Sequence, residues 1–137
     1  MMTVDARNQI ETLLSVSPYH RFLDLKLVAL DNDGGELRLL MPYQERLLGD
    51  MISRRYHGGA IAGLIDATGA LAMMAKVGRD TPSITISIDY LRPAVATDLF
   101  AKAKIQKSGK KIGIVAVEVI DIDNRIVAIG RVILSLS

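Results

Sequence analysis

The sequence predicts an α+β domain in which one antiparallel sheet curls around a single long helix. Three observations predict it. Residues 58–75 form an apolar run with one ionisable side chain, Asp66. The last third of the chain alternates apolar and polar residues with period two, cut by short turns. A helix that is apolar nearly all round needs a sheet to cover it.

The elements follow in order. Val4, Ile10, Leu13 and Leu14 suit a short amphipathic helix over residues 4–14, ended by Ser17-Pro18. Residues 25–30 and 36–41 read as strands, with Asp31-Asn32-Asp33-Gly34-Gly35 as their hairpin turn. Residues 42–56 are polar and irregular, and lead into the long helix. Arg79-Asp80-Thr81-Pro82 breaks the chain after it. Then Ile84, Ile86, Ile88 and Tyr90 point one way and Thr85, Ser87 and Asp89 the other, which predicts a half-buried strand. Ala101, Ala103 and Ile105 alternate with Lys102, Lys104 and Gln106 in the next. Ser108-Gly109-Lys110 is a tight turn, and the β-branched run 112–120 reads as a central strand. Asp121-Ile122-Asp123-Asn124 turns again, and residues 126–134 close the sheet. Short turns between these four strands predict an antiparallel meander. The sheet's ends and the helix's uncovered side then need a partner.

Composition narrows the function. The chain has 137 residues, half of them hydrophobic, which suits one domain over residues 1–137 with a proper core. A net charge of +2, without Trp, gives no case for nucleic-acid binding. The absence of Cys removes disulfides, thiolate metal sites and a thiol nucleophile, and is compatible with a cytoplasmic location. The first residues lack the basic-then-apolar pattern of a secretory signal. Residues 61–77 approach membrane-span length, but Asp66 and the glycines point to a buried core helix, so no membrane partner is expected. His20 and His57 are isolated, so no metal is expected. The chain has no Gly-x-Ser-x-Gly elbow, Gly109-Lys110 lacks the upstream P-loop glycine, and Gly58-Gly59…Gly63 follows a polar loop rather than a dinucleotide-binding strand.

The chemistry concentrates at the start of the long helix. A carboxylate inside an apolar element is costly to bury unpaired, so Asp66 reads either as the helix's one solvent-facing polar residue or as a candidate acid, base or nucleophile, the second reading being favoured by what precedes it. Gly58 and Gly59 let a ligand approach the backbone, and the first amides of a helix have no internal partner. Such an end stabilises charge that develops on a carbonyl oxygen. A plain loop-to-helix turn accounts for the glycines but not for the lone charge downstream. His57, just before them, reads either as a hydrogen-bonded structural residue or as part of the site. Seven residues separate Gly59 and Asp66, so they share a helix face ~10 Å apart. One carbonyl must lie within about 3 Å of both groups. Two antiparallel helices across a two-fold axis meet that condition; one helix does not.

His57-Gly58-Gly59 followed by Asp66 resembles the active-site segment of hotdog-fold acyl-CoA thioesterases, in particular the phenylacetate-degradation type. Ile88-Asp89-Tyr90-Leu91-Arg92-Pro93-Ala94 is similar to the family's following strand, and Lys107-Ser108-Gly109-Lys110-Lys111 to its basic hairpin. The resemblance covers nearly the whole chain. It implies a dimer or dimer of dimers without cofactor, acting on acyl-CoA. Gly59 N–H would polarise the thioester carbonyl, Asp66 would act as nucleophile or as general base, and His57 would shape the pocket. Gly58 would admit the substrate, and Arg92, Lys107, Lys110 and Lys111 are candidates for the coenzyme A phosphates. Many relatives carry Asn or Gln about six residues before the His; here that position is Met51. Leu47, Leu48, Met51, Ile52, Met73 and Met74 are candidates for an adaptable acyl slot. A hotdog hydratase or dehydratase and a non-catalytic acyl-CoA binder are the competing classes.

Overall fold

A 20-residue helix, Gly58–Val77, runs through the middle of the protein. The computed structural model describes residues 4–31 and 36–137; residues 32–35 of the expected hairpin turn lie outside the described residues. Before the helix come α1 (Val4–Val16), α2 (Pro18–Leu23), β1 (Lys26–Leu30) and β2 (Glu36–Met41). A short ribbon follows, β3 (Leu48–Asp50) and β4 (Arg55–Tyr56). The long helix is α3. After it come β5 (Ser83–Tyr90), β6 (Leu99–Ser108), β7 (Ile112–Ile120) and β8 (Ile126–Ser135).

Six strands form one antiparallel sheet in the order β1-β2-β6-β7-β8-β5. Its inner face supplies Leu37, Leu39, Ala101, Val115, Val117 and Val132, all buried. Against them lie Ile61, Leu64, Ile65, Ala72 and Met73 of α3. The helix has the length and hydropathy to cross a membrane, yet 67% of its apolar window is buried inside the fold. Small residues let it sit close to the sheet. A Cβ added at Gly69 would come 2.7 Å from Val132 Cγ2 and 2.9 Å from Val132 Cβ. The helix stops at Gly78, which adopts φ 81°, a conformation cheap only for glycine, and donates its N–H to Met74 O at 2.7 Å.

Two expectations are corrected here. The meander is β6-β7-β8 only. β5 pairs with β8 at the far edge, with Ser87 opposite Arg131 and Tyr90 opposite Ala128. The link from β5 to β6, residues 91–98, contains Pro93 and a positive φ at Ala96, and is too long for the usual hairpin of 2–5 residues, so it crosses back to the strand beside β2. Nor is β5 half-buried: Ile84 is 58% exposed, Ile86 37% and Tyr90 52%. α3 lies against the central strands, and β5 sits at the edge with one side unpaired.

The stretch expected to be irregular holds a 3₁₀ turn, Glu45–Leu47, and the β3-β4 ribbon. Its bonds anchor the start of α3. Tyr56 N–H donates to Ala94 O at 2.9 Å and His57 N–H to Leu47 O at 3.0 Å. The buried Tyr56 hydroxyl donates to Thr97 O at 2.7 Å. Burial above all, then Asp98 and Tyr43, pushes that phenol well above its ordinary value.

Gly69→Val should lower stability by about 1–3 kcal/mol, because the added side chain meets a packed sheet valine. Urea denaturation checks this; an unchanged midpoint would show that helix and sheet are less close than described.

Candidate active site

The first turn of α3 is held from three sides. His57 is its N-cap: extended backbone (φ −68°, ψ 135°), with ring Nδ1 accepting the Gly59 N–H at 2.8 Å. Its carbonyl accepts the Ala60 N–H at 3.0 Å. From β5, the Tyr90 hydroxyl donates to Gly58 O at 2.7 Å. A Cβ at Gly58 would lie 3.2 Å from that hydroxyl, so glycine is what lets the strand come this near. The Gly59 amide expected to point outward unpartnered is therefore capped by the residue two positions before it, although Gly59 itself is exposed. The cap arises because an extended residue before a helix directs its side chain at the second or third amide.

Two hollows flank this turn. A groove of about 410 Å³ is lined by Arg55, Tyr56, Gly58, Ile61, Tyr90 and Arg92. A smaller cleft of about 180 Å³ is lined by Tyr19, Phe22, Arg46, Leu47, Leu48 and His57. Tyr19 and Phe22 stack with ring centroids 6.2 Å apart, and the Arg46 guanidinium lies 4.4 Å above Phe22 while donating to its carbonyl. Arg92 has no carboxylate partner among the described residues, so its charge is available to a ligand.

Asp66 lies two turns along α3. It is half-buried rather than enclosed, and Ser83 Oγ donates to its Oδ1 at 2.6 Å. Ser83 is the site residue that sequence reasoning missed. It shares parity with Thr85, Ser87 and Asp89, which were expected on the face opposite Ile84, Ile86, Ile88 and Tyr90. A register irregularity between Ser83 and Thr85 breaks that parity and brings Ser83 to the helix.

The structure gathers some expected residues and separates others. His57, Gly58, Gly59 and Arg92 cluster at the start of α3. Lys107, Lys110 and Lys111 are exposed in the β6-β7 hairpin. That hairpin lies toward the other end of the helix, where Met73 reaches the space beside Gly113. Fourteen residues separate Gly59 from Met73, ~21 Å along the axis. Met51 is 56% exposed, on a turn outside both hollows. The Asp50 carboxylate organises that turn by accepting the Ile52 and Ser53 N–H groups, both at 3.3 Å. The Ser53 hydroxyl, then these amides, hold the Asp50 carboxyl below its ordinary range. Of the expected acyl slot, Leu47 and Leu48 line the small cleft. Met73 and Met74 are core, 0% and 6% exposed, with Met73 reaching the sheet at Gly113, and Ile52 is 95% exposed at a turn tip. Among the described residues no three His, Asp or Glu side chains group to hold a metal.

Comparison with known proteins agrees with this fold. Residues 55–128, which run from β4 through α3 into β8, match the family model described as the thioesterase superfamily. An inferred esterase of Halobacterium salinarum is 32% identical over 96% of this chain and 94% of its own. A solved protein of the thioesterase superfamily superposes with a TM-score of 0.90 at 28% identity, over 97% of this chain and 99% of that one. The PaaI protein of the E. coli phenylacetic acid degradation operon shares the fold, with a TM-score of 0.87 at 22% identity over 98% and 95% of the two chains. A six-stranded antiparallel sheet around one long helix, matched in sequence from β4 into β8, makes this chain a member of the thioesterase superfamily with the hotdog fold.

Proposed function

We propose that this chain hydrolyses the thioester of an acyl-coenzyme A carrying a small aromatic or medium-chain acyl group, in a site shared by two copies. Family membership supports thioester hydrolysis in general. The observation that carries the finer reading is the placement of Asp66. It is the one ionisable side chain on the apolar run of α3, half-open to solvent, and oriented by Ser83.

The reaction needs a base or nucleophile and a donor for the carbonyl oxygen. As general base, the Asp66 carboxylate takes a proton from water while the water oxygen bonds to the carbonyl carbon. As nucleophile, a carboxylate oxygen makes that bond itself, and water then cleaves the resulting anhydride. In both cases the C=O electrons move onto oxygen, a backbone N–H stabilises that charge, and collapse breaks the C–S bond. Coenzyme A leaves as thiolate, a good leaving group that asks for no strong base. Ser83 contributes a polar hydroxyl at the carboxylate, in a chain that carries Met51 where many relatives carry an amide.

Gly59 and Asp66 sit on one open face of α3, with Ala62 half-exposed between them. Beside that face β5 offers an unpaired edge and exposed Ile84, Ile86 and Tyr90. A second copy related by a two-fold axis covers these groups and sets its Asp66 against the first copy's Gly59. Arg92 on the larger groove supplies a positive charge for a phosphate. Acyl-coenzyme A as substrate fits the cytoplasmic location expected from the cysteine-free composition.

A panel of acyl-coenzyme A thioesters with free-thiol detection tests the reading directly. Hydrolysis releases thiol; a hydratase changes the acyl chain without releasing it; a binder shows saturation alone. Asp66→Asn should cut turnover at least about a hundredfold, the lower range for a lost acid–base group. Ser83→Ala should cost about 10- to 100-fold, since a hydrogen bond to a charged group contributes ~1.5–3 kcal/mol. Near-normal turnover in Asp66→Asn would sink the catalytic assignment.

The shared site has its own test. Gly59→Val and Asp66→Asn are each expected to be inactive, and their subunits are mixed and allowed to exchange. A mixed dimer holds one doubly defective site and one intact site. With random pairing about half the dimers are mixed, so roughly a quarter of wild-type activity should return. No recovery after mass measurement verifies exchange would place both groups in one subunit.

A further inference from the structure

We propose that Tyr19 is a further catalytic residue of the thioester site: its hydroxyl, seated on Gly63 one turn before Asp66, holds the water that the Asp66 carboxylate activates. The inference rests on the thioesterase reading and commits it to the general-base form.

Gly63 is what lets the hydroxyl reach the helix. It carries no Cβ, and the Tyr19 phenol fills that space: a Cβ placed there would collide with the hydroxyl and stand 2.9 Å from ring Cε2. Three residues separate Gly63 from Asp66, ~4.5 Å along the axis and about 60° around it. The hydroxyl therefore stands beside the open stripe of α3, within a turn of the carboxylate.

β5 reaches Asp66 from the other side. Ile65 meets β5 at Gly130, where an added Cβ would lie 2.8 Å from Ile65 Cγ2 and 3.2 Å from Ser87 O. Ile65 lies about 100° around the helix from Asp66, in the sense opposite to Gly63. Asp66 thus sits in a trough, with Ser83 on the β5 bank and Tyr19 on the α2 bank. Ser83 Oγ donates to Asp66 Oδ1 at 2.6 Å. Among the described residues nothing donates to Asp66 Oδ2, and the Tyr19 hydroxyl has no hydrogen-bond partner. Two such polar atoms on one short stretch of an open face are what a single water bridges.

The phenol is held in place for this. Its ring stacks on Phe22 with centroids 6.2 Å apart and planes 13° from parallel, and the Arg46 guanidinium lies 4.4 Å over Phe22. α2 is closed at its end by Asp24, whose N–H donates to Arg21 O at 3.0 Å. A group fixed in this way contributes orientation that it need not search for.

The water donates one O–H to Asp66 Oδ2 and the other to the Tyr19 oxygen. Both protons are then held, and a lone pair is left to meet the carbonyl carbon. On attack the first proton passes to Asp66, the O–C bond forms and the C=O pair moves onto oxygen. On collapse the C–S bond breaks, and the proton on Asp66 goes to the coenzyme A thiolate. The second proton stays with the product acid, so Tyr19 ends as it began.

Steady-state kinetics on the full chain decide the matter. Tyr19→Phe keeps the ring and its stack and removes only the hydroxyl. It should lower kcat about 10-fold, the upper range for one neutral hydrogen bond, with KM unchanged. Affinity for phenacyl-coenzyme A, which keeps a carbonyl but has no scissile thioester, should also stay the same. Unchanged kcat overturns the proposal. So does a raised KM at unchanged kcat, which would make Tyr19 a wall of the acyl site. Gly63→Ala puts a methyl where the hydroxyl sits and should lower kcat to a similar extent. The double variant should lose no more than either single one, because both remove the same contact. Losses that multiply would show independent effects and overturn the assignment. Failure of the thioesterase reading looks different: wild-type protein then releases no thiol from any acyl-coenzyme A, and the role of Tyr19 falls with it.

Discussion

Covering α3 is the constraint on which the rest of the structure depends. An apolar helix of 20 residues cannot stand in water. The sheet covers one side through β6, β7 and β8, and α1 and α2 pack on another. What remains partly open is a stripe through Gly59, Ala62, Asp66 and Ala70. Asp66 lies on that stripe because a carboxylate turned toward the sheet would be desolvated without a partner. The cost of burying a charge thus fixes which helix face carries Asp66. The same face is small-residued, so another helix can approach it.

The periodic part of the fold was legible in the sequence. Alternation at 101–106 and the β-branched run at 112–120 specified strands because one face of each must be buried. The apolar stretch after Gly58 specified a core helix for the same reason. The position of β5 was not legible, since local alternation carries no information about which strand lies alongside. It also misled: Ile84, Ile86 and Tyr90 alternate as though one face were covered, yet in the single chain they are exposed. That pattern fits a face covered by something other than this chain's own helix.

The site was legible in its backbone and not in its side-chain contacts. Two glycines before a helix with one acid marked the segment in which the site is proposed. Ser83 escaped notice because a register irregularity changes the face it belongs to, and such irregularities leave no periodic trace. The His57 cap escaped because a helix-start amide expected to be open to a ligand is equally open to a neighbouring side chain. A helix N-terminus attracts any acceptor within reach, and a substrate-binding end must be reconciled with its own cap.

The proposed dimer bears on the separated basic residues. Within one chain, Arg92 stands by the start of α3, while Lys110 and Lys111 stand toward its other end. In the proposed two-fold arrangement, Asp66 of one copy lies opposite Gly59 of the other, and axial positions on the two helices pair so that their numbers sum to 125 (66 + 59). Met73, beside the lysine hairpin, then falls opposite position 52, six residues beyond Gly58 and ~9 Å past it along the axis. The hairpin of the copy that supplies Asp66 and the Arg92 of the copy that supplies Gly59 converge at the same end of the shared site. The operation that assembles the carbonyl donor and the carboxylate therefore also gathers the cations that a coenzyme A phosphate requires. No separate device is needed to bring charge and chemistry together.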